Sequence, residues 1–165
     1  MSPARLENAP GAAMRVGVIG CGDISAAYLR TLARAAEVQV VAVADRNVER
    51  ALSRAEEFAI PWHGAPHELL ALRDVELVLN LTTPASHHAV SADILSSKKH
   101  LWSEKPLALT STHARNLIEL AETHGVSIAC APDTPLAPGI QAAMRALRGG
   151  VIGRPETPGV PGRAG

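Results

Sequence analysis

Residues 15–25, RVGVIGCGDIS, constrain this chain more than any other stretch. Arg15–Ile19 is rich in β-branched side chains and reads as a buried strand ended by Gly20. Gly20, Cys21 and Gly22 then form a turn, and Asp23 or Ser25 can open a helix. The spacing is G-x-G-x-x-S, a near miss to the dinucleotide fingerprint, whose last position is Gly or Ala. Gly20 permits the tight turn, and Gly22 lets a pyrophosphate approach the backbone. Ser25 stands where a third glycine packs helix on strand, and it is small enough for the place. Free N–H groups at the helix start would face the phosphates. Asp45 ends the next strand, 23 residues after Gly22, where a ribose-binding acid is expected. The competing reading is a Gly-rich βα turn in an α/β protein that binds no nucleotide.

Composition narrows the class. The 165 residues set a prior of one domain with a core large enough to fold alone. Apolar residues make up 47% but aromatics only 2%, so the core is built from Ala, Val, Leu and Ile. That suits strands covered by helices on both faces. Sixteen basic and sixteen acidic residues cancel, and no basic stripe stands out, which argues against nucleic acid as a partner. The apolar runs are far shorter than a membrane span requires. Residues 1–13 have no apolar h-region and read as a disordered lead-in rather than a secretory signal. Cys21 and Cys130 do not make a disulfide framework, so a reducing cytoplasm is the expected location. Cys21 lies near a helix N-terminus, which can lower a thiol pKa; the plainer reading is a small residue tolerated in a turn.

Strand and helix patterns alternate about six times. Predicted strands cover Arg15–Ile19, Val38–Ala44, Ile60–His63 (an edge strand, because of Pro61), Glu76–Leu81, His100–Ser103 and Val126–Cys130. Predicted helices cover Asp23–Ala36, a segment capped by Asn47 and ending at Phe58, His67–Leu72 opened by Pro66, and Ser86–Ser97. Two more run from a Thr110 cap to His124, stopped by Gly125, and over Pro138–Arg148. This alternation predicts a doubly wound parallel α/β sheet, a Rossmann fold. Its ligands bind outside the carboxyl ends of the strands. The Gly20–Gly22 turn, Asp45, Thr82–Pro84 and Glu104–Pro106 all fall there. Residues 14–135 form the expected nucleotide-binding domain, 136–154 a linking helix, and 155–165 a Pro/Gly-rich tail.

The rim residues suggest chemistry. Asp45 can accept hydrogen bonds from both ribose hydroxyls of an adenosine and would repel a 2′-phosphate, which favours NAD. Arg46 beside it can meet a 2′-phosphate or stack on adenine, which keeps NADP open. Asp45 can equally be a solvated strand-end acid or helix cap. Lys105 is the candidate for direct chemistry. It precedes a proline and is held extended, and near a cationic nicotinamide its pKa would fall until it relayed protons. Glu104 can orient Lys105 or cap a loop. His87 and His88 point about 100° apart on a helix, and Gly64 and Pro66 break the face between His63 and His67, so no metal site is expected. Neither G-x-S-x-G nor a P-loop occurs.

These residues together resemble the Gfo/Idh/MocA family of oxidoreductases. The likeness rests on VGVIGCGDIS at 16–25, VAVADRN at 41–47, ELL at 68–70, LTTPASHH at 81–88, KHLWSEKPLALT at 99–110 and GIQAAMRALRGGVIGRP at 139–155. The resemblance implies that Gly20, Cys21, Gly22, Asp23 and Ile24 line the pyrophosphate, and that Asp45 and Arg46 meet the adenosine ribose. Thr82, Thr83, Pro84 and His88 would lie by the cofactor. Glu104 and Lys105 would sit at the nicotinamide and the substrate as the catalytic residues, with a cis peptide at Lys105–Pro106. The implied reaction moves hydride between NAD or NADP and a carbon of a sugar- or polyol-like substrate, and self-association into a homo-oligomer stays open. Two departures stand out. Lys98 replaces a usual Gly, and a left-handed residue there carries about 1 kcal/mol of strain. Glu156–Gly165 replaces an expected strand, so a truncated member that binds cofactor without efficient turnover is expected. The alternatives are a non-catalytic dinucleotide-binding module or sensor and, more remotely, an S-adenosylmethionine methyltransferase, in which Glu104-Lys105-Pro106 has no role.

Overall fold

The computed structural model describes residues 13–132, 134, 137–151 and 153. The expected tail at 155–165, and all of the lead-in except Ala13, lie outside the described residues. The chain divides into two compact units after Ala131.

The first unit is a parallel sheet. Its strands are β1 (Met14–Ile19), β2 (Val38–Ala44), β3 (Trp62–Gly64), β4 (Leu77–Asn80), β5 (His100–Ser103) and β6 (Ile128–Cys130). They lie in the order β3-β2-β1-β4-β5-β6, and every neighbouring pair is parallel. The helices are α1 (Asp23–Leu32), α2 (Val48–Phe58), α3 (Pro66–Ala71), α4 (His87–Ser96) and α5 (Ser111–His124). The strand pleat sorts side chains between two cores. Val16, Val18, Val43 and Leu79 pack with Leu29 of α1 and with Ala51 and Ala55 of α2. Ile19, Ala42, Ala44 and Val78 pack with Leu69 of α3, Ile94 and Leu95 of α4, and Leu117 and Ala121 of α5. Both faces are therefore covered, which is why the strands read as continuous apolar runs. The strand order reverses between β1 and β4, and this switch point opens a crevice at their carboxyl ends.

The helix ends follow their sequence signals. The side chain of Asn47 accepts from the Glu49 N–H, and that of Thr110 from the His113 N–H. Gly125 is left-handed after α5. Helix α1 stops at Leu32 rather than at Ala36. Beyond it Arg34 and Ala35 donate to Thr31 and Leu32, a tighter three-residue spacing. Good helix formers lose there to pairing, because Met14 and Val38 must meet and the Met14 N–H donates to Glu37. The edge strand starts at Trp62, after Pro61 rather than before it.

Lys98 is left-handed, with φ +57°. Its N–H donates to Leu95 and that of Lys99 to Ile94, the two bonds of a Schellman ending. The buried Lys99 ammonium then donates to the carbonyls of Leu72 at 2.6 Å and Val75 at 2.9 Å, and burial lowers its pKa.

The second unit contains α6 (Pro138–Arg148), an amphipathic helix with Arg145 and Arg148 in its last turn. Among the described residues no helix is long and apolar enough to cross a membrane.

Lys98→Gly removes the left-handed strain without removing either capping bond. It is expected to raise stability by about 1 kcal/mol, read as a higher urea midpoint at unchanged slope. A lower midpoint contradicts this reading of the turn.

Candidate functional site at the carboxyl ends of the strands

The site begins where β1 leaves the sheet. Gly20 has φ +104°, and a Cβ built there would lie 2.6 Å from the Leu81 carbonyl and 2.8 Å from the Thr82 nitrogen. The turn therefore needs glycine twice, for its dihedral angle and for the close passage of the β4 exit. Gly22 differs. It is extended, with φ −74°, and a Cβ there would meet nothing within 4 Å. Its open side faces the crevice.

Asp45 ties this turn to the end of β2. Its Oδ2 accepts from the Cys21 N–H at 2.8 Å, and its Oδ1 accepts from the Asn47 N–H at 2.9 Å. Ser25, at the third fingerprint position, is fully buried. Its hydroxyl donates to the Gly22 carbonyl at 2.6 Å and accepts from Arg54 Nε at 3.0 Å. Arg54 also pairs with Glu57. A polar strut thus joins α1 to α2 where a glycine would leave only contact. Arg54 is not recognisable in the sequence, because it comes from the middle of α2.

Gly20, Gly22, Asp23, Ile24, Asp45, Arg46, Thr82 and Thr83 line one cavity of about 270 Å³, and Arg50 and Ser86 join them. A hollow of about 600 Å³ between α3 and α4 shares Ile19, Pro66 and Val90 with it. The larger hollow holds no glycine turn, so chemistry rather than size singles out the crevice. Cys21 is buried beneath the turn, with Sγ donating to the Ala44 carbonyl at 3.5 Å. Burial and the nearby Asp45 charge push its thiol up to about 12, the reverse of the lowering suggested by the helix terminus.

A second cluster surrounds Glu104. The Tyr28 hydroxyl donates to Glu104 Oε1 at 2.7 Å, and the Lys105 N–H donates to Oε2 at 2.9 Å. Trp102 Nε1 donates to the Tyr28 oxygen at 3.4 Å. The carboxylate thus fastens the loop after β5 to α1. The Lys105–Pro106 peptide is cis. Lys105 is exposed, and its ammonium makes no hydrogen bond or ion pair with the described residues.

A buried polar network shapes the exit of β4. Asn80 is fully buried. Its Oδ1 accepts from the Thr82 hydroxyl at 2.6 Å, and its Nδ2 donates to the His87 carbonyl at 3.1 Å and to the Ser91 hydroxyl at 3.0 Å. The one polar residue inside the otherwise apolar run Leu77–Leu81 was the available signal for it. Pro84 starts a 3₁₀ turn over Pro84–Ser86; Pro84 itself is not part of the cavity lining, whereas Ser86 is. His88 points to α5, where it stacks on His113 with ring centroids 4.1 Å apart and meets Asn116 Oδ1 at 3.1 Å. Its neighbour His87 is the ring buried beside the crevice loops. Among the described residues no group of three His, Cys, Asp or Glu side chains is placed to hold a metal ion.

Comparison with known proteins adds to this geometry. Residues 14–131 match the family described as "Oxidoreductase family, NAD-binding Rossmann fold" (GFO_IDH_MocA). Inositol 2-dehydrogenase of Burkholderia cenocepacia is 31% identical over 146 residues, which is 86% of this chain and 43% of that protein. Inositol 2-dehydrogenase of Salmonella typhimurium is 32% identical over 115 residues, covering 68% of this chain and 34% of that protein. Among solved structures, KijD10, a 3-ketoreductase from Actinomadura kijaniata in complex with TDP-benzene and NADP, superposes with a TM-score of 0.77 at 31% identity. The match covers 87% of this chain and 46% of that one. GenD2 from gentamicin A biosynthesis, in complex with NAD, superposes at 0.78 with 26% identity over 84% of this chain and 40% of its own. The chain spans less than half the length of these relatives.

The two glycines separate in stability. Gly20→Ala is expected to cost at least about 2 kcal/mol in urea unfolding. Gly22→Ala stays within about 1 kcal/mol of wild type; equal losses contradict the assignment. For Cys21, iodoacetamide labelling of the native protein at pH 9 is expected to run at least about tenfold slower than labelling in urea, where the thiol ionises normally. Equal rates contradict the burial argument.

Proposed function

The chain belongs to the Gfo/Idh/MocA oxidoreductase family, whose matched segment is an NAD-binding Rossmann domain, and from that premise we propose that the crevice beside Gly22 seats a nicotinamide dinucleotide. The observation that carries this reading is the missing Cβ of Gly22. It leaves backbone bare at the start of α1, inside the same cavity as Asp45. N–H groups at the start of α1 meet the pyrophosphate there, and the helix dipole favours its charge. Each Asp45 oxygen accepts one backbone N–H and keeps a lone pair for a ribose hydroxyl. Arg46 and Arg50 border the same space and offer positive charge to a phosphate. The carboxylate makes NAD the preferred partner.

The dinucleotide supplies the hydride chemistry when bound. Lys105 is the proton-handling group for the hydroxyl or carbonyl of a sugar- or polyol-like substrate, because its ammonium is the exposed cation at the end of β5. Glu104 aims it: with both carboxylate oxygens already engaged by Tyr28 and the Lys105 N–H, it acts as a fixed strut rather than a proton carrier. The 165-residue chain on its own is expected to bind cofactor without efficient turnover. Donor and acceptor carbons must be held near contact, and this reading assigns only Lys105 and Glu104 among the described residues to the substrate. A cytoplasmic setting fits the two free cysteines. Family membership displaces the methyltransferase alternative.

Calorimetric titration tests the reading. Wild type is expected to bind NAD more tightly than NADP. Asp45→Asn keeps an acceptor for the backbone but removes the charge. It is expected to weaken NAD binding about tenfold and to narrow the gap to NADP. Absence of binding by either coenzyme, or an unchanged preference in Asp45→Asn, contradicts it.

A further inference from the structure

His87 opens α4 and is 1% exposed. Its two ring nitrogens face carbonyl oxygens from two different loops. Nδ1 lies 2.6 Å from the Pro106 oxygen, and Nε2 lies 3.0 Å from the Thr82 oxygen. Thr82 lines the crevice, and Pro106 follows Lys105 through the cis peptide. The ring is itself held from behind, because Asn80 Nδ2 donates to the His87 carbonyl while Asn80 Oδ1 accepts from Thr82. The last ladder bond between these strands is Glu104 N–H to the Asn80 carbonyl at 3.0 Å. Past that bond the two loops leave the sheet, and the imidazole bridges them.

We propose that His87 is a positioning residue: its ring sets the separation between the Thr82–Pro84 loop and the Lys105–Pro106 loop, and so the slot that receives the nicotinamide half of the dinucleotide. The inference rests on the reading that the crevice takes such a dinucleotide. A core histidine that merely fills space needs one partner for its N–H. Both nitrogens of this ring lie within hydrogen-bond distance of carbonyls 24 residues apart in sequence (106 − 82), each adjoining a predicted site residue. A carbonyl only accepts, so a ring with one N–H donates to one of them and packs against the other, while the imidazolium donates to both. The adenosine half lies toward Asp45, at the end of β2 and on the other side of β1 from β4. A change at His87 should therefore reach one half of the ligand and spare the other.

The experiment compares NADH with ADP-ribose, which lacks the nicotinamide, on wild type and on His87→Leu. Leucine fills a similar volume but donates to neither carbonyl. The expected result is ADP-ribose affinity within about twofold of wild type, NADH affinity reduced about tenfold, and loss of the wild-type emission shift of bound NADH. His87→Gln, whose amide carries two N–H donors, is expected to recover part of the NADH affinity. It also carries the same comparison should the leucine variant not fold. Equal losses for both ligands, or NADH binding and emission unchanged, overturn the positioning role. A wild-type protein that binds neither ligand overturns the dinucleotide reading as well, so the two failures are distinguishable.

Discussion

The carboxylate of Asp45 bridges two backbone amides, one in the glycine turn after β1 and one at the start of α2. Hydrogen bonds to a charged acceptor are roughly twice as strong as neutral ones; the one from Cys21 ties the exit of β1 to that of β2, and the one from Asn47 holds the local turn into α2. On the other side of β1, the turn is held by contact rather than by charge: the backbone at Gly20 runs against Leu81 and Thr82 so closely that no side chain fits between. The mouth of the crevice is therefore rigid on both flanks. A rigid mouth suits an extended anionic ligand, because little ordering remains to be done when it binds.

The same economy governs the polar interior. Buried polar groups are costly unless paired, and among the described residues no buried side-chain nitrogen or oxygen lacks a partner. Asn80, Thr82, Ser91 and His87 satisfy one another and the carbonyls around them. The Tyr28 hydroxyl does the same for Glu104, and Trp102 Nε1 donates to Tyr28 in turn. Asn80, Thr82 and Glu104 lie where strands end and loops begin, and partners from α1 and α4 fix them there, which removes conformational freedom from loops that the sheet alone does not control. Packing builds the scaffold, and hydrogen bonding aims the residues at its rim.

Much of the fold was legible in the chain. Apolar runs over Val38–Ala44 and Glu76–Leu81, punctuated by Asn47, Pro66, Thr110 and Gly125, point to strands and capped helices that the structure contains. Strand ends were less legible: β4 loses one residue at each end of its predicted run, and β6 starts two residues later than its own. The site was legible in outline. Gly20, Gly22, Asp45 and Thr82 converge because strand ends converge in a doubly wound sheet. What stayed hidden was long-range. Tyr28 reaches Glu104 across 76 residues, and Arg54 reaches Ser25 across 29. The His87–His88 pair shows the limit at short range. One residue of helix phase, about 100°, decides which ring joins the loops and which stacks on His113, and sequence spacing does not supply that phase.

A crystal structure of this chain grown or soaked with NAD tests the central claim most directly. The account predicts the pyrophosphate over the bare backbone at Gly22, with the adenosine ribose hydroxyls on Asp45 and the nicotinamide between the Thr82–Pro84 and Lys105–Pro106 loops. Coenzyme bound elsewhere, or a crevice left empty at saturating NAD, contradicts it.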